Sequence, residues 1–237
     1  MNYSFARVAA ASPKLRVADC SFNAKKIIEI IGQAESKSVE FLVFPELCIT
    51  GYTCGDLFLK QVLLEGAKNA LLSIANATKG SLMVSIVGSP MVINGKSFNC
   101  AVAIQNGRIL GIVPKTNLPN YNEFYEVRWF IGSDLLDVDE IAIDDYIVPV
   151  GADLIFEAKG YEKLVFGIEI CEDLWSLLPP SSFLAQGGAN LLFNLSAGNE
   201  LACKAEFRRD LVKSQSSRCV AAYVYSSSNS GESTTDM

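Results

Sequence analysis

The chain has 237 residues, of which 50% are hydrophobic and 19% charged, and its formal net charge is −6 at pH 7. It contains no run rich in lysine or arginine, which argues against nucleic acid as a partner. No uncharged apolar stretch approaches the roughly 18 to 20 residues of a membrane-spanning helix, so the composition indicates a globular domain with a large core and no membrane partner.

Strand and helix patterns alternate through the first third of the chain. Isoleucines separated by charged residues predict a helix over 23–36 with one apolar face. Asp56 is expected to cap a longer helix that runs to about Thr78. Short apolar runs predict three strands, over 6–11, 39–44 and 81–88.

Antiparallel pairing is predicted farther along. Asn106-Gly107 is a strong hairpin signal that joins predicted strands over 98–105 and 108–113. A polar, aromatic loop over 116–128 follows. The remaining predicted strands are 154–158, 163–170, 189–195 and 220–226, and the remaining helices are 183–187 and 204–218.

Parallel βαβ units together with antiparallel hairpins favour a mixed α/β (α+β) fold. Two sheets that bury one face on each other and the other face under helices would form a four-layer αββα sandwich. No internal repeat or linker is visible, so residues 1–237 are interpreted as one domain. The loop at 227–237 is followed by no closing element, and we therefore expect a domain truncated at its C-terminal end.

The N-terminus and the cysteines bear on location and metal binding. The first residues lack the basic-then-apolar plan of a signal peptide, which predicts a cytoplasmic protein. Seven cysteines are scattered without a Cys-x-x-Cys pair, which argues against a disulfide framework or a zinc ribbon. No metal site is expected.

The chain contains no histidine, which excludes Ser-His-Asp and Cys-His catalysis and most catalytic zinc sites. Cys171 lies where a predicted strand ends, a position at which reacting groups collect in open α/β sheets. As a nucleophile it would need a carboxylate base and a lysine to stabilise charge. The competing interpretation is a small buried cysteine that packs the strand end, which is the commoner role.

Two other predicted strands are each followed by a proline and then by one ionisable residue. Glu46 follows Pro45 and could accept a thiol proton, whereas Lys115 follows Pro114 and could stabilise an oxyanion. Each alone is more simply a charge at a strand edge. Together with Cys171 they supply three different functions that a cysteine hydrolase needs, and this favours a catalytic site.

Glu46, Lys115 and Cys171, in this order, resemble the Glu-Lys-Cys triad of the nitrilase, or carbon–nitrogen hydrolase, superfamily. The longer motifs are similar to one branch, the glutaminase domain of glutamine-dependent NAD synthetases. They lie at 45–52, 56–57, 115–121, 123–126, 170–175, 194–197, 218–225 and 231–236. The resemblance spans almost the whole chain and implies the nitrilase type of αββα sandwich.

The resemblance implies a role for each triad residue. Glu46 would be the general base, Cys171 the nucleophile, and Lys115 the oxyanion stabiliser together with the backbone N–H that follows the cysteine. A second glutamate supports the lysine in this family. Glu126 suits that role by its Glu-x-Arg-aromatic context, and Glu123 is the alternative.

The resemblance also implies a glutamine pocket. Tyr52, Tyr121, Phe124 and Glu172 match positions that line it, and Lys204 falls where relatives carry a basic residue facing the substrate carboxylate. Aromatic walls exclude water, and an acidic group suits the ammonium of the substrate. Core packing is the alternative role of the aromatic residues.

The sequence departs from the family in two respects. Gly198 stands where relatives carry a serine whose hydroxyl helps hold the substrate, so affinity or selectivity for glutamine is in question. A Ser-Gly-Gly-x-Asp-Ser pyrophosphatase loop, which marks the synthetase domain, does not occur. ATP and magnesium would be used only by that domain, and no cofactor is expected for this chain.

The function implied is hydrolysis of the glutamine side-chain amide through a cysteine thioester. The ammonia would supply an ATP-dependent NAD synthetase domain in the same or a separate chain, and we expect a homo-oligomer with low turnover in isolation. One alternative is a stand-alone amidase of the superfamily acting on another small amide. Another is a non-catalytic interaction module, against which the intact Glu46, Lys115 and Cys171 argue.

Overall fold

Two β-sheets form the centre of the computed structural model, which describes residues 5–229. The first sheet has the order β1-β2-β3-β4-β5; β1, β2 and β3 are parallel and the later strands antiparallel. Helices α1 and α2 connect its parallel strands. The bounds are β1 (Val8–Ala10), α1 (Cys20–Ser36), β2 (Phe41–Val43), α2 (Gln61–Ala77), β3 (Val84–Ile93), β4 (Lys96–Gln105) and β5 (Arg108–Pro114).

Two short hairpins lead to the second sheet, in which β11, β12 and β13 are parallel and β10 is antiparallel to β11. The bounds are β6 (Asn120–Tyr121), β7 (Phe124–Tyr125), β8 (Glu140–Ile143), β9 (Tyr146–Pro149), β10 (Ile155–Glu157), β11 (Val165–Ile170), α3 (Pro180–Gln186), β12 (Leu191–Ser196), α4 (Lys204–Cys219) and β13 (Ala222–Ser227).

Alternating side chains on the strands build the layers. On β2, Phe41 and Val43 face the second sheet, whereas Leu42 packs in the core beneath α1 and α2. The sheets meet through aromatic contacts, with ring centroids 5.5 Å apart for Phe41 and Phe166 and 5.9 Å apart for Phe166 and Phe193. With α3 and α4 on the outer face of the second sheet, the architecture is the predicted αββα sandwich.

The helix predicted from Asp56 differs in the structure. Residues Gly55–Leu59 form a 3-10 turn, and α2 begins at Gln61 without a side-chain cap. Asp56 instead accepts hydrogen bonds from Arg128 Nε at 2.6 Å and Trp129 Nε1 at 3.0 Å. The prediction was wrong because a partner distant in sequence, invisible to local capping rules, engages the carboxylate.

Other boundaries shift for local reasons. Helix α1 begins at Cys20 because Asp19 accepts a hydrogen bond from the Phe22 N–H. Strand β3 runs five residues beyond its predicted end and turns through Asn94 and Gly95, both with positive φ, into β4. The predicted terminal loop at 227–237 and the motif at 231–236 lie largely or wholly outside the described residues.

The turn that follows β2 packs directly on β3. Leu47, in this turn, has a φ of +49°, and the turn covers Gly88. A Cβ at Gly88 would lie 2.3 Å from the Leu47 nitrogen and 2.7 Å from the Pro45 carbonyl oxygen. Only a glycine on β3 therefore lets the turn that carries Glu46 approach the sheet this closely.

We predict that Gly88→Ala lowers the free energy of unfolding by about 1 to 3 kcal/mol, because the added methyl group must displace backbone atoms of the turn. Urea unfolding measures the change. Gly32→Ala, on the exposed face of helix α1, is the matched control. A Cβ added there would meet no neighbouring atom within 4 Å, and alanine has a higher helix propensity than glycine. Equal stability of the two variants would contradict the packing argument.

A carboxylate is buried where β11 packs against α3. Glu169 is 1% exposed and accepts a hydrogen bond from the Ser181 N–H at 2.7 Å. The Tyr223 hydroxyl also donates to it. Burial outweighs these donors and raises the pKa of Glu169 to about 7.

We predict that Glu169 makes stability fall as pH rises. An exposed glutamate has a pKa near 4.5, so between that pH and about 7 the folded chain binds more protons than the unfolded chain. Relative to Glu169→Gln, the wild type should lose roughly 2 to 3 kcal/mol of unfolding free energy across this window. Urea unfolding from pH 4.5 to 8 tests this, with Glu65→Gln on the exposed face of α2 as control. Parallel pH curves for wild type and Glu169→Gln would contradict it.

Candidate active site

Three strand ends converge on one buried volume. Glu46 follows β2, Lys115 follows β5 and Cys171 follows β11. Glu46 and Lys115 are fully buried, and Cys171 is 7% exposed. Residues far apart in sequence therefore meet where the first sheet faces the second, at the positions that the strand pattern indicated.

Lys115 lies between two carboxylates. Its Nζ is 2.6 Å from Glu46 Oε1 and 2.7 Å from Glu126 Oε1. Burial lowers the pKa of Lys115, but Glu126 and Glu46 outweigh that effect and hold the pKa well above its ordinary value. The side chain is therefore an ammonium. Glu123 instead accepts a hydrogen bond from Asn199, so Glu126 is the second glutamate at the lysine.

Asn99 and Tyr52 complete this cluster. Asn99, on β4, donates through Nδ2 to Glu46 Oε1 at 2.7 Å and to Glu126 Oε2 at 3.5 Å. The Tyr52 hydroxyl donates to Glu126 Oε1 at 2.6 Å. Sequence reasoning did not select Asn99; the available signal was an amide side chain flanked by the apolar residues Phe98 and Cys100.

One oxygen of Glu46 is available to a proton. Oε1 is held by Lys115 and Asn99, whereas Oε2 is buried and has no hydrogen-bond partner among residues 5–229. Burial and then the Glu46 carboxylate raise the pKa of the Cys171 thiol, and the Lys115 ammonium opposes them. The three groups are thus close enough to act on one another, with a free acceptor on the carboxylate.

The backbone of Cys171 is held in an unusual conformation. Its φ is +47°, which costs a non-glycine residue about 1 kcal/mol or more. Its N–H donates to Asn194 Oδ1 at 3.1 Å. Asp173, two residues later, accepts from the backbone N–H groups of Ile170 at 3.0 Å and Asn117 at 2.7 Å. These bonds fix the turn and keep the thiol at the strand end.

Aromatic side chains line one side of the site. The Tyr121 and Phe124 ring centroids are 5.8 Å apart, and those of Tyr52 and Phe124 are 6.4 Å apart. Phe124 is buried, whereas Tyr121 is half exposed. The hydroxyl of Tyr121 donates to Glu172 Oε2 at 2.9 Å, which places an acidic group beside the aromatic wall.

A cation lies near the same aromatic residues. Lys204 Nζ is 5.3 Å from the Trp175 ring centroid and 6.0 Å from that of Phe124, and it donates to Asn199. Burial raises the pKa of Glu172, and the charges of Lys115 and Lys204 are among the effects that oppose it. The site therefore presents one anionic and one cationic group, a pattern that complements an amino-acid zwitterion. Sequence reasoning missed Trp175, although it follows Cys171 in the same motif.

Neither a metal-binding cluster nor a membrane-spanning helix occurs in the described part of the chain. Within residues 5–229, no group of three or more acidic or cysteine side chains is arranged to hold a metal ion. In the same range, no helix combines the length and the apolar character needed to cross a bilayer.

Comparisons with known proteins identify similar chains along the whole sequence. The glutamine-dependent NAD(+) synthetase of Mycobacterium leprae is 40% identical over 239 residues, an alignment that covers all of this chain and 35% of the relative. The corresponding enzyme of Thermotoga maritima is 32% identical over 206 residues, covering 86% of this chain and 32% of the relative. This chain therefore spans about a third of the length of these relatives.

Solved structures and a family model also match most of this chain. The glutamine-dependent NAD(+) synthetase from Cytophaga hutchinsonii has a TM-score of 0.83 at 33% identity, covering 94% of this chain and 36% of that one. An amidase from Nesterenkonia sp. shares the fold, with a TM-score of 0.76 at 15% identity. The alignment covers 98% of this chain and 80% of that one. The model described as carbon-nitrogen hydrolase matches residues 7–235. The chain belongs to the carbon–nitrogen hydrolase family.

Proposed function

We propose that this chain hydrolyses the side-chain amide of glutamine through a thioester on Cys171. The observation that carries the proposal is the buried Lys115 ammonium, held by Glu46 and Glu126 beside the cysteine. Similarity to glutamine-dependent NAD(+) synthetases along the whole chain supports glutamine as the substrate.

The first half of the reaction forms the thioester. Glu46 takes the thiol proton, the sulfur electron pair forms the C–S bond, and the carbonyl π pair moves to oxygen. Lys115 and the backbone N–H of Glu172 stabilise that oxyanion. The C–N bond then breaks, the nitrogen takes the proton from Glu46, and ammonia leaves.

The second half releases glutamate. Glu46 takes a proton from water, and the hydroxide adds to the thioester carbonyl. The C–S bond breaks when the oxyanion collapses, and the departing sulfur recovers the proton from Glu46. The free Oε2 of Glu46 serves both halves, because a single carboxylate oxygen accepts and returns each proton.

The pocket charges account for the choice of an amino acid. Glu172 faces the substrate ammonium and Lys204 its carboxylate, while Tyr121, Phe124 and the Tyr52 ring exclude water from the amide. Amides that lack the ammonium or the carboxylate would bind less well, because such an amide leaves Glu172 or Lys204 unpaired in a water-poor pocket.

The proposal extends to the partners of the chain. The relatives are about three times longer, and their names indicate NAD(+) synthesis, so an ATP- and magnesium-dependent synthetase domain would consume the ammonia. That domain would belong to the same or a separate chain, in a cytoplasmic homo-oligomer. This chain itself would need no cofactor. Ammonia release from glutamine, with and without a synthetase domain, tests the coupling.

A stand-alone amidase is the second candidate. Gly198 lacks the hydroxyl that the family resemblance places against glutamine, and an amidase from Nesterenkonia sp. shares the fold. The ratio of kcat/KM for glutamine to that for uncharged small amides separates the two functions. A ratio far above one supports the glutaminase.

We predict that Cys171→Ala lowers the rate of glutamine hydrolysis about a thousandfold or more, because no other group can form the covalent intermediate. A glutamine-like electrophile should add once to the wild-type chain and not to this variant, as measured by intact mass. Cys203→Ser is the control, since Cys203 is an exposed thiol outside the cluster. Labelling of Cys203 with Cys171 intact and unlabelled would overturn the assignment.

We predict that Gly198→Ser lowers KM for glutamine about threefold or more while kcat changes little. A Cβ there would lie 3.6 Å from Ser196 Oγ and meet no closer atom, so the side chain fits. The added hydroxyl would supply one hydrogen bond to the substrate. Steady-state kinetics tests this, with Gly198→Ala as the control that adds volume without a donor. Equal KM values for the two variants would contradict it.

A further inference from the structure

The sulfur of Cys171 lies in surroundings that oppose its negative charge. Burial raises the pKa of this thiol and the Glu46 carboxylate raises it further, while Lys115 is held by two carboxylates at once. A thiolate formed here has lost its water and shares its cation with Glu46 and Glu126. Attack by sulfur therefore depends on additional hydrogen-bond donors at Sγ.

Ser196, the last residue of β12, supplies such a donor. Its Oγ is 3.2 Å from Cys171 Sγ, and the residue is fully buried. The backbone N–H of the next residue, Ala197, also hydrogen-bonds to the sulfur and, like the serine hydroxyl, acts to lower the pKa of Cys171. The strand that neighbours β11 thus presents two donors to the reacting atom.

The direction of the Ser196 hydroxyl is fixed by two other groups. The Tyr225 hydroxyl, on β13, lies 2.5 Å from Ser196 Oγ, and the Gly198 N–H lies 3.2 Å from it. Both donate to Oγ and occupy its two lone pairs. The single proton of the Ser196 hydroxyl is left with the sulfur of Cys171 as its acceptor.

We propose that Ser196 is a catalytic residue that donates a hydrogen bond to the Cys171 sulfur whenever the sulfur is charged, and that Tyr225 positions it. The inference rests on the proposed thioester chemistry. The charge exists before the C–S bond forms and again when that bond breaks. A thioester sulfur is a poor acceptor, so the bond is strong only near the two transition states and accelerates both halves.

Alkylation of Cys171 by iodoacetamide tests the contact without requiring amide hydrolysis. Peptide mass spectrometry follows Cys171 alone, from pH 6 to pH 10, in the full chain. If Ser196→Ala raises the thiol pKa by about one unit, the thiolate fraction falls tenfold while intrinsic nucleophilicity rises about threefold. The alkylation rate should then fall about threefold at every pH below the thiol pKa. Tyr225→Phe should give a smaller decrease.

Steady-state glutamine hydrolysis provides the second measurement. Ser196→Ala should lower kcat about tenfold with KM changed less than twofold, because the bond is made to the sulfur and not to the bound substrate. Ser226→Ala is the matched control. Ser226 is a buried serine on β13 whose hydroxyl donates to the Ala11 carbonyl at 2.7 Å, away from the sulfur. This control should leave both measurements unchanged.

The outcomes separate this inference from the proposed function. Wild-type hydrolysis of glutamine with unchanged alkylation and kcat in Ser196→Ala would overturn the role of Ser196 and leave the glutaminase intact. If Ser196→Ala lowers the alkylation rate but the wild type does not hydrolyse glutamine, the contact with the sulfur is retained and the glutaminase function is rejected. If Ser196→Ala does not fold, Tyr225→Phe decides, and values equal to the wild type overturn the proposal.

Discussion

The buried ammonium of Lys115 is the constraint on which the rest of the site depends. Glu46 and Glu126 each lie within 2.7 Å of its Nζ, and all three side chains are essentially excluded from water. Two unpaired carboxylates in this position would each cost several kcal/mol. The lysine therefore holds together the segments that follow β2 and β7, which is a structural role beside the one proposed for it in the reaction.

This cluster also explains how a proton can move in a buried site. Two carboxylates and one ammonium carry a net charge of −1. When Cys171 passes its proton to Glu46, the negative charge moves to sulfur and the total charge of the volume stays the same. The transfer thus creates no new buried charge, and the donors around Sγ decide how far it lies toward the thiolate.

Sequence reasoning identified the parts of the site that have a local signal. A proline and one charge after an apolar strand marked Glu46 and Lys115, and the absence of histidine directed attention to Cys171. Asn99 and Ser196 lie within or at the end of strands, where one polar residue looks like an ordinary strand position, so only the fold reveals their partners. Asp56 was misassigned for the same reason, since its partner Arg128 is 72 positions away.

The groups of the site come from both sheets, so their relative positions depend on how the sheets pack. The first sheet supplies the proposed base and the ammonium through the residues after β2 and β5, whereas the second supplies the proposed nucleophile and its hydrogen-bond donors through β11, β12 and β13. The sheets are joined by close aromatic contacts such as that between Phe41 and Phe166. Close-packed interiors shift little. The core between the sheets therefore sets how far apart the two strand ends lie, and the turns held by Gly88 and Asp173 then place Glu46 and the sulfur on those ends.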